Sequence, residues 1–144
     1  MTQSARYHHG DLHDTLLQEA NTLLNEQGIE GLSLRKLAER AGVSRTAPYH
    51  HFRDKNALLC ALAAQAFAQL DTIIEHQLEA AASKPDIQAF VVEYLRFATE
   101  NPEQYELMFG RTIWKSGNPT DDLKAVAYRS FRRYAEGLQP LVKG

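Results

Sequence analysis

Six basic side chains, Arg35, Lys36, Arg40, Arg45, Arg53 and Lys55, fall within residues 31–56. Only Glu39 and Asp54 oppose them there, so the segment carries +4 in a chain whose total is −2. Residues 1–30 carry −4 and residues 57–144 carry −2. A local basic block of this kind is either a footprint for phosphate and nucleic acid or a solvated helical face. Five of the six histidines, His8, His9, His13, His50 and His51, precede residue 52. His9 and His13, four apart, would share a helix face as metal ligands, but no third ligand accompanies them and a metal site is not expected. His51, next to Phe52, reads as a packing or capping residue. The lone Cys60 excludes an internal disulfide and a cysteine-based zinc site, and reads as a small buried apolar residue. No Gly-rich phosphate loop, metal triad or Ser/His/Asp arrangement appears, so neither an enzyme nor a cofactor is expected. Asp121-Asp122 reads as a helix start rather than a carboxylate pair.

The elements that must position these groups all read as helices. Two-residue alternation is absent and β-branched residues are sparse, which gives an all-α class. Asp11 to Gln27 places Leu12, Leu16, Ala20, Leu23 and Leu24 on one face, with Gly28 as its stop. Leu34 to Ala41 is capped by Ser33 and closed by Gly42. Ser44 caps a third short helix that reaches Phe52. Asp54 opens a long helix through Leu58, Leu62, Ala66, Leu70, Ile73 and Leu78, and Lys84-Pro85-Asp86 breaks it. A fifth helix covers Asp86 to Thr99. Asn101-Pro102 starts a sixth that runs to Lys115, Ser116 to Pro119 form a loop, and Thr120-Asp121-Asp122 opens a seventh. On that last helix Leu123, Val126, Ala127, Phe131 and Tyr134 are expected inward, and Gly137 and Pro140 fray its end. The uncharged stretch Asn56–Leu70 is too short to span a bilayer, and MTQSARYHHG lacks an apolar signal core. Membrane association and export are therefore not expected, and a reducing cytoplasm fits.

Two of these short helices are separated by Ala41-Gly42-Val43-Ser44, the spacing of a helix-turn-helix. Ala38 is small where the helices must approach, and Gly42 permits the left-handed backbone of a sharp turn. Leu34, Leu37, Val43 and Phe52 would tie both helices to the first. Arg45, Thr46, Ala47, Tyr49 and His50 remain outward, a face short enough to enter a major groove. Ser33 and Ser44 mark helix N-termini where phosphates are favoured, and Lys55 lies where it would meet the backbone. The second concentration of chemistry is aromatic. Residues 85–134 hold nine of the thirteen aromatic side chains. Phe90, Tyr94, Phe97, Met108, Phe109, Trp114, Tyr128 and Phe131 would serve either as a helical core or, in part, as the lining of a small-molecule pocket.

Residues 6–62, with YHHGDL at Tyr7–Leu12, SLRKLAERAGVS and APYHHFRDKNALL, resemble the DNA-binding domain of TetR-type transcriptional regulators. The wording is that of a branch whose C-terminal region is named for a Trp-His-Gly motif, and NPEQYELMFG at Asn101–Gly110 is similar to that branch's ligand domain. Pro48 departs from the apolar residue most TetR-type recognition helices carry, and falls in the first turn, where it removes at most one intrahelical bond. Family members usually continue through two further long helices that form the dimer interface, and this chain ends before them.

The resemblance implies a helix-turn-helix DNA-binding domain over residues 1–54 and a helical ligand-binding and dimerisation domain over 55–144. It implies that Arg45, Thr46 and Ala47 face bases, that Tyr49 and His50 contact phosphate or base edges, and that Ser33 and Lys55 contact phosphates. Arg6 and Tyr7 would form an N-terminal arm. The implied partners are double-stranded DNA with a palindromic operator, a small-molecule effector and a second copy of the chain. The implied action is that of a repressor released by its ligand. The alternative is a helical protein-interaction module without operator binding.

Overall fold

In the computed structural model, which describes residues 9–80 and 87–143, the backbone divides into two compact units, Met1–Leu62 and Ala63–Gly144. Every regular element among the described residues is helical.

The first unit begins with α1 (His9–Gln27). Its buried residues Leu16, Leu17, Ala20, Leu23 and Leu24 recur at three- and four-residue intervals, so one stripe of the helix enters the core. Gly28, at φ +75°, ends it and donates its N–H to Leu24 O at 2.8 Å. A tight turn follows, held by Gly31 N–H to Gly28 O and Leu32 N–H to Ile29 O. α2 (Leu34–Ala41) is capped as expected: the Ser33 hydroxyl accepts the Lys36 N–H at 3.1 Å. It buries Leu34, Leu37, Ala38 and Ala41. Its C-terminus is a Schellman motif, with Val43 N–H on Ala38 O and Gly42 N–H on Glu39 O. Gly42 stands at φ +71°, a left-handed backbone that a Cβ would strain. α1 packs on α2, and α2 packs on the segment that follows.

That segment differs from the expected α-helix. Ala47–His50 is a single 3₁₀ turn. Ala47 N–H bonds Ser44 O, Tyr49 N–H bonds Thr46 O and His51 N–H bonds Pro48 O, all three residues apart. Pro48 has no N–H to offer Ser44 four residues back, and its buried ring fixes the entry, so the tighter ladder wins. Ser44 therefore is not an α-helical cap: its hydroxyl lies 3.4 Å from that of Thr46. The element ends in a packed ring cluster in which His13 meets His51 and Phe52 at centroid distances of 5.5 and 5.4 Å. Asp54 then caps the long α3 (Lys55–Ala80), accepting the Ala57 N–H at 2.9 Å. Leu58, Leu59, Cys60 and Leu62 of its first turns are buried.

α3 continues into the second unit. It is long and apolar enough to cross a membrane by length and composition, beyond what the uncharged stretch alone predicted. Half of that apolar window is buried within the protein, as in the core helix of a globular domain. Ala63, Ala66, Phe67, Leu70 and Ile74 take the buried positions, with Ile74 in place of the expected Ile73. α4 (Ile87–Glu100) buries Phe90 and Phe97. α5 (Pro102–Phe109) has Pro at its first position, but Asn101 turns its amide back to Phe97 O at 3.0 Å instead of capping. The expected sixth helix is broken at Gly110, which is extended, and resumes as the short α6 (Arg111–Trp114). The Glu106 carboxylate accepts the Arg111 N–H at 3.2 Å and so stabilises the break. A Cβ at residue 110 would collide with that same carboxylate.

Thr120 caps α7 (Asp121–Lys143) by accepting the Leu123 N–H. The helix is assigned through Gly137 and Pro140 rather than ending there. Its buried face also differs from expectation. Leu123 and Ser130 are fully buried, Ala127 and Tyr134 are partly so, and Phe131 is 68% exposed. The small residues on this face let α7 approach α3 closely. Ser130 Oγ donates to Asp71 Oδ2 at 2.8 Å, Arg133 pairs with Glu75, and a Cβ on Gly137 would strike Leu78.

Candidate nucleic-acid interface and ligand cavity

The helix-turn-helix presents one polar edge. Ser44, Arg45, Thr46, Tyr49 and His50 are all exposed, Tyr49 at 55%. Ala47 is half-buried, and Pro48 is the residue that anchors the turn to the core. Arg45 makes no hydrogen bond or ion pair with any other described residue, so its guanidinium is available for two parallel bonds to a guanine edge. Arg53, also of the basic block, is exposed as well. Ser33 is half-buried, with its hydroxyl already engaged as the α2 cap. Arg6 and Tyr7 lie outside the described residues.

The basic block separates into two groups. Arg40 binds Glu26 at 2.8 Å and approaches Glu19 at 3.8 Å, so it ties α2 to α1. The hydrogen bond and charge of Arg40 hold the Glu26 carboxyl below its ordinary value. Lys36 reaches Gln27 at 3.1 Å. Lys55, the expected phosphate contact, donates from Nζ to Ile29 O at 2.6 Å and pins the start of α3 to the turn after α1. Arg45 and Arg53 are thus the cations of the block most open to a partner, and Lys55 has a structural bond to give up first.

The second unit holds a cleft of about 460 Å³ that is open to solvent, with Phe109, Trp114 and Phe131 of its lining exposed. Of the residues expected to line one, Tyr94, Met108, Phe109, Trp114 and Phe131 do so. Phe90 and Phe97 do not: Phe97 is core, and Phe90 is buried and stacks on Tyr94 at 6.5 Å. Tyr128 is 63% exposed and belongs to a separate, arginine-rich groove between α7 and Leu78 of α3. Phe67, Ala127 and Tyr134 complete the lining and were missed. Their positions follow from the α3–α7 contact, which joins residues about sixty apart and leaves no local sequence signal.

The cleft's polar groups are few. The Tyr94 and Tyr105 hydroxyls bond each other at 3.0 Å, and Trp114 Nε1 donates to Met108 O at 2.7 Å. Burial, then the bond to Tyr105, raises the Tyr94 phenol above its ordinary value. Burial, then the charge of Asp71, raises Tyr134 likewise. The Tyr134 hydroxyl and Asp71 Oδ1 are both buried, and Asp71 and Ser130 are the hydrogen-bonding groups beside that hydroxyl. The described residues contain no cluster of three metal-ligating side chains.

Residues 16–62 match the bacterial regulatory proteins of the tetR family. The chain is 52% identical over 59 residues to the tetracycline repressor protein class A of Escherichia coli, covering 41% of this chain and 27% of that protein. It is 36% identical over 92 residues to the transcriptional repressor AcnR of Corynebacterium efficiens, covering 63% of this chain and 42% of that protein. The chain thus spans less than half the length of these relatives. A solved structure of a Rhodococcus protein of unknown function superposes with a TM-score of 0.78 at 35% identity, covering 93% of this chain and 69% of that one. Residues 16–62 thus belong to the tetR family of bacterial regulatory proteins.

Proposed function

We propose that this protein is a cytoplasmic transcriptional repressor that binds a pseudo-palindromic operator as a dimer and is released by a small molecule held in the second unit. The observation that carries the reading is the exposed edge Ser44–His50. It puts an unengaged arginine, two hydroxyls, a phenol and an imidazole on a turn whose backbone is fixed by Pro48 and by the Schellman motif before it. Such an edge reads bases, while flanking cations meet phosphates. Two relatives bear the name repressor, which favours repression over activation.

Dimerisation is supported by the outer face of α4. Ile87, Val91, Val92 and Leu95 lie at helical spacing and are each 43–54% exposed, an apolar stripe that a partner surface would cover. Two heads would then enter successive major grooves about 34 Å apart. The 460 Å³ cleft lies within the range that holds a small effector. An effector acts by binding one arrangement of the heads better than the other.

Selection of bound duplexes from a random library tests the reading. Recovery of one inverted repeat, bound in a salt-dependent way and not matched by its scrambled sequence, is the expected result. Binding with equal affinity to every duplex, or to none, would contradict it and leave a protein-interaction module.

A further inference from the structure

α7 carries two seams. Leu123, Ala127, Ser130, Tyr134 and Gly137 follow one another at four- and three-residue steps and form the inward one, buried or half-buried. Asp121, Ala125, Tyr128, Arg132 and Ala135 repeat the same steps two residues earlier, and all five are exposed. Two residues turn about 200° around a helix, so the second seam lies on the opposite face. Its steps are those with which one helix meets another. Ala125 and Ala135 leave room for close approach. Tyr128 at 63% and Phe131 at 68% exposure supply apolar surface beside them.

The charges on this side are sorted along the helix. Asp121 and Asp122 open it, and Lys124, Arg129, Arg132 and Arg133 follow. The side chains of Asp121, Asp122 and Arg129 pair with no other described residue. Arg132 holds Glu136 at 2.8 Å, but both are exposed, and such a pair exchanges at little cost. Arg129, Arg132 and Arg133 line the groove between α7 and Leu78. Asp122 and Arg129 stand about 10 Å apart along one helix and do not meet within one chain.

A second copy brings these charges together. A two-fold axis passing midway between Val126 and Ala127 sets Asp121 opposite Arg132 of the second copy, and Ala125 opposite its Tyr128. Asp122 then reaches the arginine-lined groove of the second copy, and Lys124 faces its Tyr128 and Phe131 rings. Each contact occurs twice, as a self-complementary surface requires, and the two helix dipoles oppose. Parallel helices would set acid on acid and arginine on arginine. Nucleic acid or an acidic protein would suit the arginines but would meet Asp121 and Asp122.

We propose that α7 is a contact between two copies of this chain, antiparallel about its midpoint, with Asp121 of each opposite Arg132 of the other. The proposal rests on the reading that the chain acts in pairs. It adds the helix, its orientation and its register.

Disulfide formation between two variants of the 144-residue chain reads the register. Asp121→Cys and Arg132→Cys, made as separate chains and mixed under oxidation, should link to each other. Neither should link to itself, because each residue lies about 16 Å along the axis from its own copy, beyond the reach of a disulfide. The buried Cys60 does not compete. Sedimentation across a concentration series reads the charges. Asp121→Arg and Arg132→Asp should each weaken self-association about tenfold, since the two-fold loses each pair twice. The Asp121→Arg/Arg132→Asp double variant should recover most of it, which a mere effect on folding would not allow. Self-linked cysteine variants, no mixed product, a chain monomeric at every concentration, or a double variant no better than the single ones would overturn the proposal. Duplex selection separates it from the reading on which it rests. The mixed cross-link in a chain that selects no duplex refutes the operator reading alone, and one selected inverted repeat without the cross-link refutes the α7 contact alone.

Discussion

Replacing Lys55 with methionine keeps the aliphatic stem and removes the ammonium, so it tests whether this lysine is structural, phosphate-binding or both. In the free protein its Nζ donates to Ile29 O at 2.6 Å in a partly buried setting. A hydrogen bond from a charged donor contributes about 1.5–3 kcal/mol. The low end applies here for two reasons. Ile29 O keeps its bond from the Leu32 N–H, so no carbonyl is orphaned, and Ile29 is only half-buried, so water can replace the ammonium. The expected loss is about 1.5 kcal/mol, a factor of about ten in the opening of the turn. Hydrogen exchange reads this locally, through the Gly31 and Leu32 amides that bond Gly28 O and Ile29 O. Their exchange should quicken about tenfold while amides in α7 keep their rates. An unchanged rate at Gly31 and Leu32 would refute the structural role. If Lys55 also meets a phosphate when operator is bound, the variant flattens the slope of log affinity against log salt by about 0.9.

Arg45→Ala should relax base preference at one operator position by about 1–3 kcal/mol, measured as the loss of discrimination between the selected base pair and its three alternatives. Equal weakening on all four would contradict a base contact. Gly42→Ala places a side chain at φ +71° and should destabilise by about 1–2 kcal/mol in urea unfolding, with Gly42→Asn recovering part of it. Tyr94 and Tyr134 have folded-state pKa values raised above the ordinary phenol near 10, so the folded protein keeps protons that the unfolded chain releases. Stability should therefore fall as pH rises above about 10, and Tyr134→Phe should leave the folded-state phenolate absorbance step unchanged in that range. The Glu26 carboxyl shifts the other way. Its contribution through Arg40 is present above the usual carboxylate range and lost as pH falls through its lowered value, so Arg40→Met should flatten the acid side of the stability curve.

Helix starts and stops were legible because their causes are local. Ser33, Gly28, Gly42, Asp54 and Thr120 each act within a few residues of themselves, and each does what its type implies. The failures arise where a decision is not local or where a residue has two effects. Pro48 was read as one missing bond in an α-helix, whereas its buried ring turns the whole element into a 3₁₀ turn. The break at Gly110 depends on Glu106 capturing the Arg111 N–H, a side-chain event that hydrophobic periodicity does not register. On α7 apolarity pointed to Phe131, but helix approach favoured the small face of Ala127, Ser130 and Gly137, and the phenylalanine turned outward. The same preference for close approach brought Asp71 to Ser130, 59 residues away. The exposed edge Arg45–His50 was legible because the residues left over, once the apolar positions are assigned to the core, must face solvent.

The central claim is that two copies place their Ser44–His50 edges in successive major grooves of one palindrome. Altering the spacing between the half-sites of the selected operator tests it most directly. Inserting about five base pairs, half a helical turn, sets the two half-sites on opposite faces of the duplex. Affinity measured by fluorescence anisotropy should then fall to that of a single half-site. Insertion of about ten base pairs should recover the facing but not the distance. Affinity unaffected by the five-base-pair insertion would contradict paired reading by a dimer.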